Sequence, residues 1–428
     1  MTKLRQVWVL IPGMRREWIV MALAVVFVSG PVAPQSSQAQ TLTVLYTFRG
    51  GTDGGYPSGL VRDAAGNLYG TTAEGGSYTC NFSFGCGTIF KLDPAGKETV
   101  LYRFTGLAGD GANPFAGLTR DAVGNLYGVT SFGGGACNCG TVFELDTIGK
   151  AKVLYSFAGG LDGKFPVGVM RDALGNFYGT TSAGGGSACS GLGCGTVFKL
   201  DTTGKETILY RFTGAGDGAS PNGGLNRDAR GNFYGTTGEG GGTGCAGGLG
   251  CGTVFKLDPS GNETVLYSFT DIGGDGTGPN GGLVADAAGN LYGTTTSGGT
   301  SFGGTIFKVG PTGQETVLYS FTGGFSGGPD GGYPFAGLVQ DPAGNLYGTT
   351  MNGGGNRCLG SGCGTVFELD TSGEEVVLHR LAIPEGTNPE SGLIRDSAGN
   401  LYGVAPLAGK RRCPQNQGGC GTVFKLVP

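Results

Sequence analysis

Three observations predict an all-β fold, a seven-bladed β-propeller of four-stranded antiparallel blades. A block of about 55 residues recurs seven times, each copy opening on the phrase DxxGN(L/F)YG at Asp63, Asp121, Asp172, Asp228, Asp286, Asp341 and Asp396. Each copy continues with GT(V/I)F(K/E)(L/V) and, apart from the last, with a hydrophobic strand of the VLYxF type. Neither phrase has helical periodicity, and near-equal repeats of this length that cannot bury their own apolar faces pack as propeller blades.

Within the first unit, 59–63 and 67–72 flank the corner Ala64-Ala65-Gly66, a hairpin of strands A and B. Residues 87–92 and 99–104 flank Asp93-Pro94-Ala95-Gly96-Lys97-Glu98, a second hairpin of strands C and D. In strand D, Val100, Tyr102 and Phe104 alternate with Leu101 and Arg103, the period-2 pattern of a sheet packed on its neighbours. The seventh copy stops after its strand C, whereas 43–48 (Thr43-Val44-Leu45-Tyr46-Thr47-Phe48) read as a strand D ahead of the first strand A. The N-terminal strand is therefore expected to complete the last blade, closing the ring and removing an exposed sheet edge.

Glycine (93) and proline (19) together would suggest disorder, but here they recur with the repeat and mark its corners and loops. Residues 1–40 stand apart: Lys3, Arg5, Arg15 and Arg16, an apolar run 18–28, then Ser37-Gln38-Ala39, which read together as a secretory signal peptide. Arg15-Arg16 leaves Sec and twin-arginine export both open. The apolar run is well short of the ~20 residues that span a bilayer, so no membrane segment is expected after cleavage. Residues 41–428 form the propeller domain, with 24 basic and 31 acidic residues and no basic run beyond Lys410-Arg411-Arg412, which argues against nucleic acid.

Twelve cysteines fall into six local pairs, all between strands B and C: Cys80 with Cys86, Cys137 with Cys139, Cys189 with Cys194, Cys245 with Cys251, Cys358 with Cys363, Cys413 with Cys420. The fifth unit has neither member, and joint presence or absence is what disulfides predict in an oxidising compartment. Cys137 and Cys139 require a tight turn to bond. The pairs lie on different blades, so four ligands do not converge on a metal, and none has redox Cys-x-x-Cys spacing.

Antiparallel order sends the D-to-A and B-to-C connections to one face of the disc, and the short corners to the other. The first face carries all the length variation and is the candidate functional face. Each D-to-A loop there repeats Asp-Gly at Asp53, Asp110, Asp162, Asp217, Asp275 and Asp330, with Glu385 in the seventh. Seven carboxylates near a central channel are candidates for holding a cation or a polyhydroxylated ligand, and Asp-Gly is equally a turn former through its own backbone bonds. Glu74 and Glu239, just after their B strands, are candidate acids for glycoside chemistry if they face each other. The sole histidine, His379, occupies the tyrosine position of a D strand, a packing slot rather than a catalytic base. No catalytic residue, cofactor or metal follows from these patterns.

The units as they stand, for example Asp341-Pro342-Ala343-Gly344-Asn345-Leu346-Tyr347-Gly348-Thr349-Thr350 followed by Gly364-Thr365-Val366-Phe367, resemble the tandem repeat called GloVer, found in bacterial exported proteins described as choice-of-anchor. The resemblance covers residues 41–428 and implies no reaction. Members often end in a C-terminal anchoring signal, whereas this sequence runs to Val427-Pro428 within the last blade, so free secretion or a periplasmic location is the expectation. The reading that results is a monomeric secreted scaffold binding an extracellular glycan or protein through its cysteine-looped face. The alternatives are a polysaccharide hydrolase or lyase using loop carboxylates, and a structural envelope component.

Overall fold

The computed structural model describes residues 40–428 apart from 81–82, 108, 243, 246–247, 325–326, 356–357, 359 and 410–418. The expected leader therefore lies outside the described residues but for Gln40. Among the described residues, seven four-stranded antiparallel sheets form the blades of a propeller, and no helix is long and apolar enough to cross a membrane.

Blade 1 shows the common plan: strand A is Gly55–Arg62, B is Leu68–Glu74, C is Thr88–Leu92 and D is Glu98–Arg103, hydrogen-bonded in that order. In blade 7, Ile394–Arg395, Leu401–Ala405 and Thr422–Val427 supply A to C, and the N-terminal strand Thr41–Thr47 supplies D. Thr41 stands opposite Val427 and Thr47 opposite Thr422, so the two ends of the propeller domain are zipped into one sheet as expected. Outside blades 1 and 3, strand A shrinks to two paired residues.

Aromatic rings hold the blades to one another. The phenylalanine ending each D strand meets the strand C phenylalanine of the next blade edge to face: Phe48 with Phe90, Phe104 with Phe143, Phe157 with Phe198, Phe212 with Phe255, Phe269 with Phe307 and Phe321 with Phe367, all at 5.1–5.2 Å. Leu381 stands at the seventh place. The glycine of each YG phrase makes room for these rings; a Cβ at Gly70 would lie 2.7 Å from Phe90 and one at Gly293 2.6 Å from Phe307. On the corner face, Arg62 lies over Tyr402, Arg120 over Tyr69, Arg171 over Tyr127, Arg227 over Tyr178 and Arg395 over Tyr347, each pair spanning two blades.

The opening Asp of each unit is a corner residue. The Asp63 carboxylate accepts from the Asn67 backbone and amide and from Tyr69 Oη, and the other units repeat the arrangement. Burial opposes ionisation of Asp63, but these donors prevail and hold its carboxyl below the ordinary range.

Candidate functional site

The seven D-to-A carboxylates are engaged by their own loops. Asp217 accepts from Tyr210 Oη (3.0 Å), Thr213 N (2.8 Å) and Thr213 Oγ1 (2.6 Å). Asp275 is buried and accepts from Tyr267 Oη, Thr270 N and Oγ1, and Gly276 N. Asp53, Asp162 and Asp330 likewise take a strand D tyrosine (Tyr46, Tyr155, Tyr319) and a loop amide, and Asp110 takes Thr105 and Gly111. In the seventh loop both partners change together: Glu385 accepts from Ala382 N and pairs with His379 Nε2 at 3.0 Å. His379 is thus more than a space filler, since it substitutes for a tyrosine donor where a longer acid substitutes for aspartate. Because the tyrosines sit on the outermost strands, these carboxylates form a ring toward the rim and do not line the channel. The glycine after each Asp packs on a strand B threonine; a Cβ at Gly54 would lie 2.2 Å from Thr72 Oγ1.

Five of the six expected disulfides are present among the described residues: Cys80–Cys86, Cys137–Cys139, Cys189–Cys194, Cys245–Cys251 and Cys358–Cys363, with Cα atoms 5.2–5.7 Å apart. The turn that the shortest pair demands is made by Asn138, at φ +54°. Cys413 lies outside the described residues; Cys420 is disulfide-bonded. The second cysteine of each pair does a further job. Its backbone carbonyl accepts a hydrogen bond from the next blade: Cys86 from Asn113, Cys139 from Phe165, Cys194 from Ser220, Cys251 from Gly278, Cys363 from Asn388 and Cys420 from Tyr56, at 2.8–3.0 Å. In the fifth unit, Gly303 does the same for Tyr333.

These donors are the residues that precede the proline of each strand A segment, and all seven adopt left-handed backbone: Tyr56, Asn113, Phe165, Ser220, Tyr333 and Asn388 at φ +53° to +58°, and Gly278 at +64°. Bulky residues rarely adopt this conformation, so each is held there by its surroundings. The residue after that proline then reaches a cavity of about 630 Å³ on the ring axis, lined by strand A segments of all seven blades. Phe115, Val167, Asn222, Asn280, Phe335 and Glu390 line it from this position, while Ser58 is buried.

Here the repeat stops being uniform. Phe115 is 43 % exposed and its ring lies 5.9 Å from that of Tyr56. Tyr56 Oη donates to Glu390 Oε2 at 2.8 Å, and Asn222 Nδ2 to Asn280 Oδ1 at 3.0 Å. Burial, then the charge of Glu390 and its hydrogen bond, and then the charge of Glu74 push the Tyr56 hydroxyl up. Burial also raises the carboxyls of Glu390 and Glu74, the former against the Tyr56 hydrogen bond. Glu74, one of the acids singled out in the sequence, stands opposite Gly55 in the ladder, next to Tyr56, and is not among the residues that line the cavity. Glu239 lies on blade 4, where its backbone bridges Ala219. Phe115, Phe335, Asn222, Asn280 and Glu390 stand outside the recurring phrases, and their signal in the sequence is that the position after the proline changes chemistry from unit to unit.

A profile of the Gloeobacter/Verrucomicrobia repeat matches residues 29–193 and 162–360. The chain belongs to this repeat family. No curated protein matches the sequence significantly. Among solved structures, the fold of this repeat protein is similar to that of a catalytically inactive histidine-to-alanine variant of virginiamycin B lyase from Staphylococcus aureus with quinupristin. The TM-score is 0.59 at 15 % identity, covering 91 % of this chain and 99 % of that one. It is also similar to the extracellular domain of BT3049 from B. thetaiotaomicron, described as a hybrid two-component system (TM-score 0.53, 15 % identity, 91 % of this chain and 41 % of that one). The corresponding domain of BT4673, described as a one-component system, gives 0.52 at 11 % identity, over 90 % and 40 %. At these identities the likeness concerns the fold.

Proposed function

We propose that the protein is a secreted or periplasmic binding scaffold that takes an extracellular glycan at the mouth of its axial cavity, on the cysteine-looped face. One observation carries the reading: seven equivalent positions held by the same backbone device present phenylalanine, valine, two asparagines, phenylalanine, glutamate and a buried serine. A scaffold that needed these positions only for packing would repeat them, as it repeats its phenylalanines and corner aspartates. Exposed aromatic faces beside amides and a carboxyl suit a sugar, whose C–H faces stack on rings while its hydroxyls meet fixed polar groups. The short disulfides fit an oxidising compartment, and extracellular-domain propellers share the fold. Titration calorimetry against a panel of neutral and charged oligosaccharides tests the proposal: binding that Phe115→Ala or Asn280→Ala lowers at least tenfold supports it, and absence of binding to every class refutes it.

The second reading is a hydrolase or lyase, favoured by Glu390 bonded to Tyr56 and the charge of Glu74 acting on the same phenol, both carboxyls being raised by burial. The lyase of similar fold is inactive as a histidine-to-alanine variant. The sole histidine here is engaged with Glu385 and does not line the cavity, so that chemistry does not carry over. Product release abolished by Glu74→Gln or Glu390→Gln would replace the binding reading by this one.

A further inference from the structure

The axial cavity is electrostatically one-sided. Glu390 is the one ionisable side chain among the residues that line it, and no lysine or arginine is among them. Neither ion pair of the described residues includes Glu390, and its hydrogen-bond partner is a neutral phenol, Tyr56. The other acid whose charge acts on that phenol, Glu74, brings negative charge as well. On the same face Lys164 is held over the Phe165 ring, 4.7 Å from its centroid, on blade 3, whereas Glu390 belongs to blade 7.

Taking a carboxylate partly out of water without a counter-charge is unfavourable, and a partner cation would repay the loss. A metal ion does not fit: among the described residues there is no group of three His, Cys, Asp or Glu placed to hold one. The Tyr56 ring that holds the carboxyl packs 5.9 Å from the ring of Phe115, which lines the cavity, and an aromatic π face favours a desolvated ammonium over a strongly hydrated metal ion. A uronic acid or sulfated sugar would add like charge to the site, and a neutral sugar would leave the carboxylate unmatched.

Resting on the glycan reading above, we propose that the mouth recognises a free amine on its ligand, an amino sugar of the glucosamine type, with the ammonium on Glu390 and the sugar ring against Phe115. Glu74 adds to the negative potential at the same pole. The three donors of an ammonium can satisfy the Glu390 carboxylate while Tyr56 keeps its own bond to Oε2.

Calorimetry at neutral pH with the purified protein tests this, using a glucosamine tetramer, its fully N-acetylated counterpart, a uronic acid oligomer and tetramethylammonium. The free-amine tetramer is expected to bind at least tenfold more tightly than the acetylated one, and Glu390→Gln to shrink that preference to within about twofold. Equal or tighter binding of the acetylated tetramer or the uronic acid oligomer overturns the proposal, as does a preference that survives Glu390→Gln in a protein with unchanged thermal unfolding. The arms separate the two readings. Glu390-dependent binding of tetramethylammonium with no binding of any oligosaccharide would refute the glycan reading and support the cationic subsite. Phe115-dependent binding of both tetramers alike would do the reverse.

Discussion

Two rings of side chains share one face of the disc and obey opposite rules. The outer ring, Asp53 to Glu385, is uniform, each carboxyl held by loop amides and most by a strand D tyrosine. The inner ring, one residue past each proline, sits on equally uniform backbone but varies from phenylalanine to glutamate. Where a repeat keeps both backbone and side chain, the side chain serves the fold. Where it keeps the backbone and releases the side chain, the position is free to serve a ligand.

The sharpest break of this comparison is Asp275→Ala. It removes the acceptor for four donors in a buried loop, and a loss of about 3 kcal/mol is expected by urea unfolding, with ligand affinity unchanged. Next in size is loss of the Cys189–Cys194 bond by double serine substitution, expected to cost roughly 2 kcal/mol. It should also weaken ligand binding, because the Cys194 carbonyl positions Ser220 ahead of Asn222. A cycle of His379→Tyr and Glu385→Asp comes third. Each single change should destabilise and the pair recover, with a coupling of about 1 kcal/mol in thermal unfolding. In the inner ring, Phe115→Ala should move stability by no more than about 0.5 kcal/mol while affinity falls.

The smallest effect per group is a pH dependence. Glu98, Glu206, Glu263, Glu315 and Glu375 open their D strands; burial, and then the outer-ring aspartate of the neighbouring blade, raise each carboxyl from 4.5 to about 7. A folded-state pKa above the unfolded one means the folded protein binds more protons between those values. The associated stability is full below about pH 4.5 and is lost as pH rises toward 7. The corner aspartates act oppositely, since carboxyls held below 3.8 lose their stabilisation as pH falls further. Thermal stability should therefore peak near pH 4 to 5 and decline modestly toward pH 8, the glutamates being only half buried. Blade 2, with Ala151 at this position, is the built-in control: Glu263→Ala should flatten the decline by one group's share.

Much of this was legible in the sequence because the repeat displays it. The seven blades, the closure by 43–48 and the pairing of nearby cysteines follow from phrases that recur or go missing together, and no long-range geometry is needed to see them. The same regularity makes Asp53 and its equivalents stand out both as a ligand ring and as turn formers, and their hydrogen bonds to their own loops fit the second. The axial cavity is lined by strand A segments of every unit, whose equivalent residues lie more than fifty positions apart, and local spacing does not reveal such a meeting.

By itself the sequence determined the architecture, since apolar alternation, corner glycines and aromatic phrases act over a few residues and are satisfied blade by blade. Only the tertiary structure decided which carboxyls face the rim and which face the axis. That depends on the left-handed turn before each proline, held by a backbone carbonyl of the preceding blade (a cysteine in six cases, Gly303 in the other), and a contact between blades exists only once those blades have packed together.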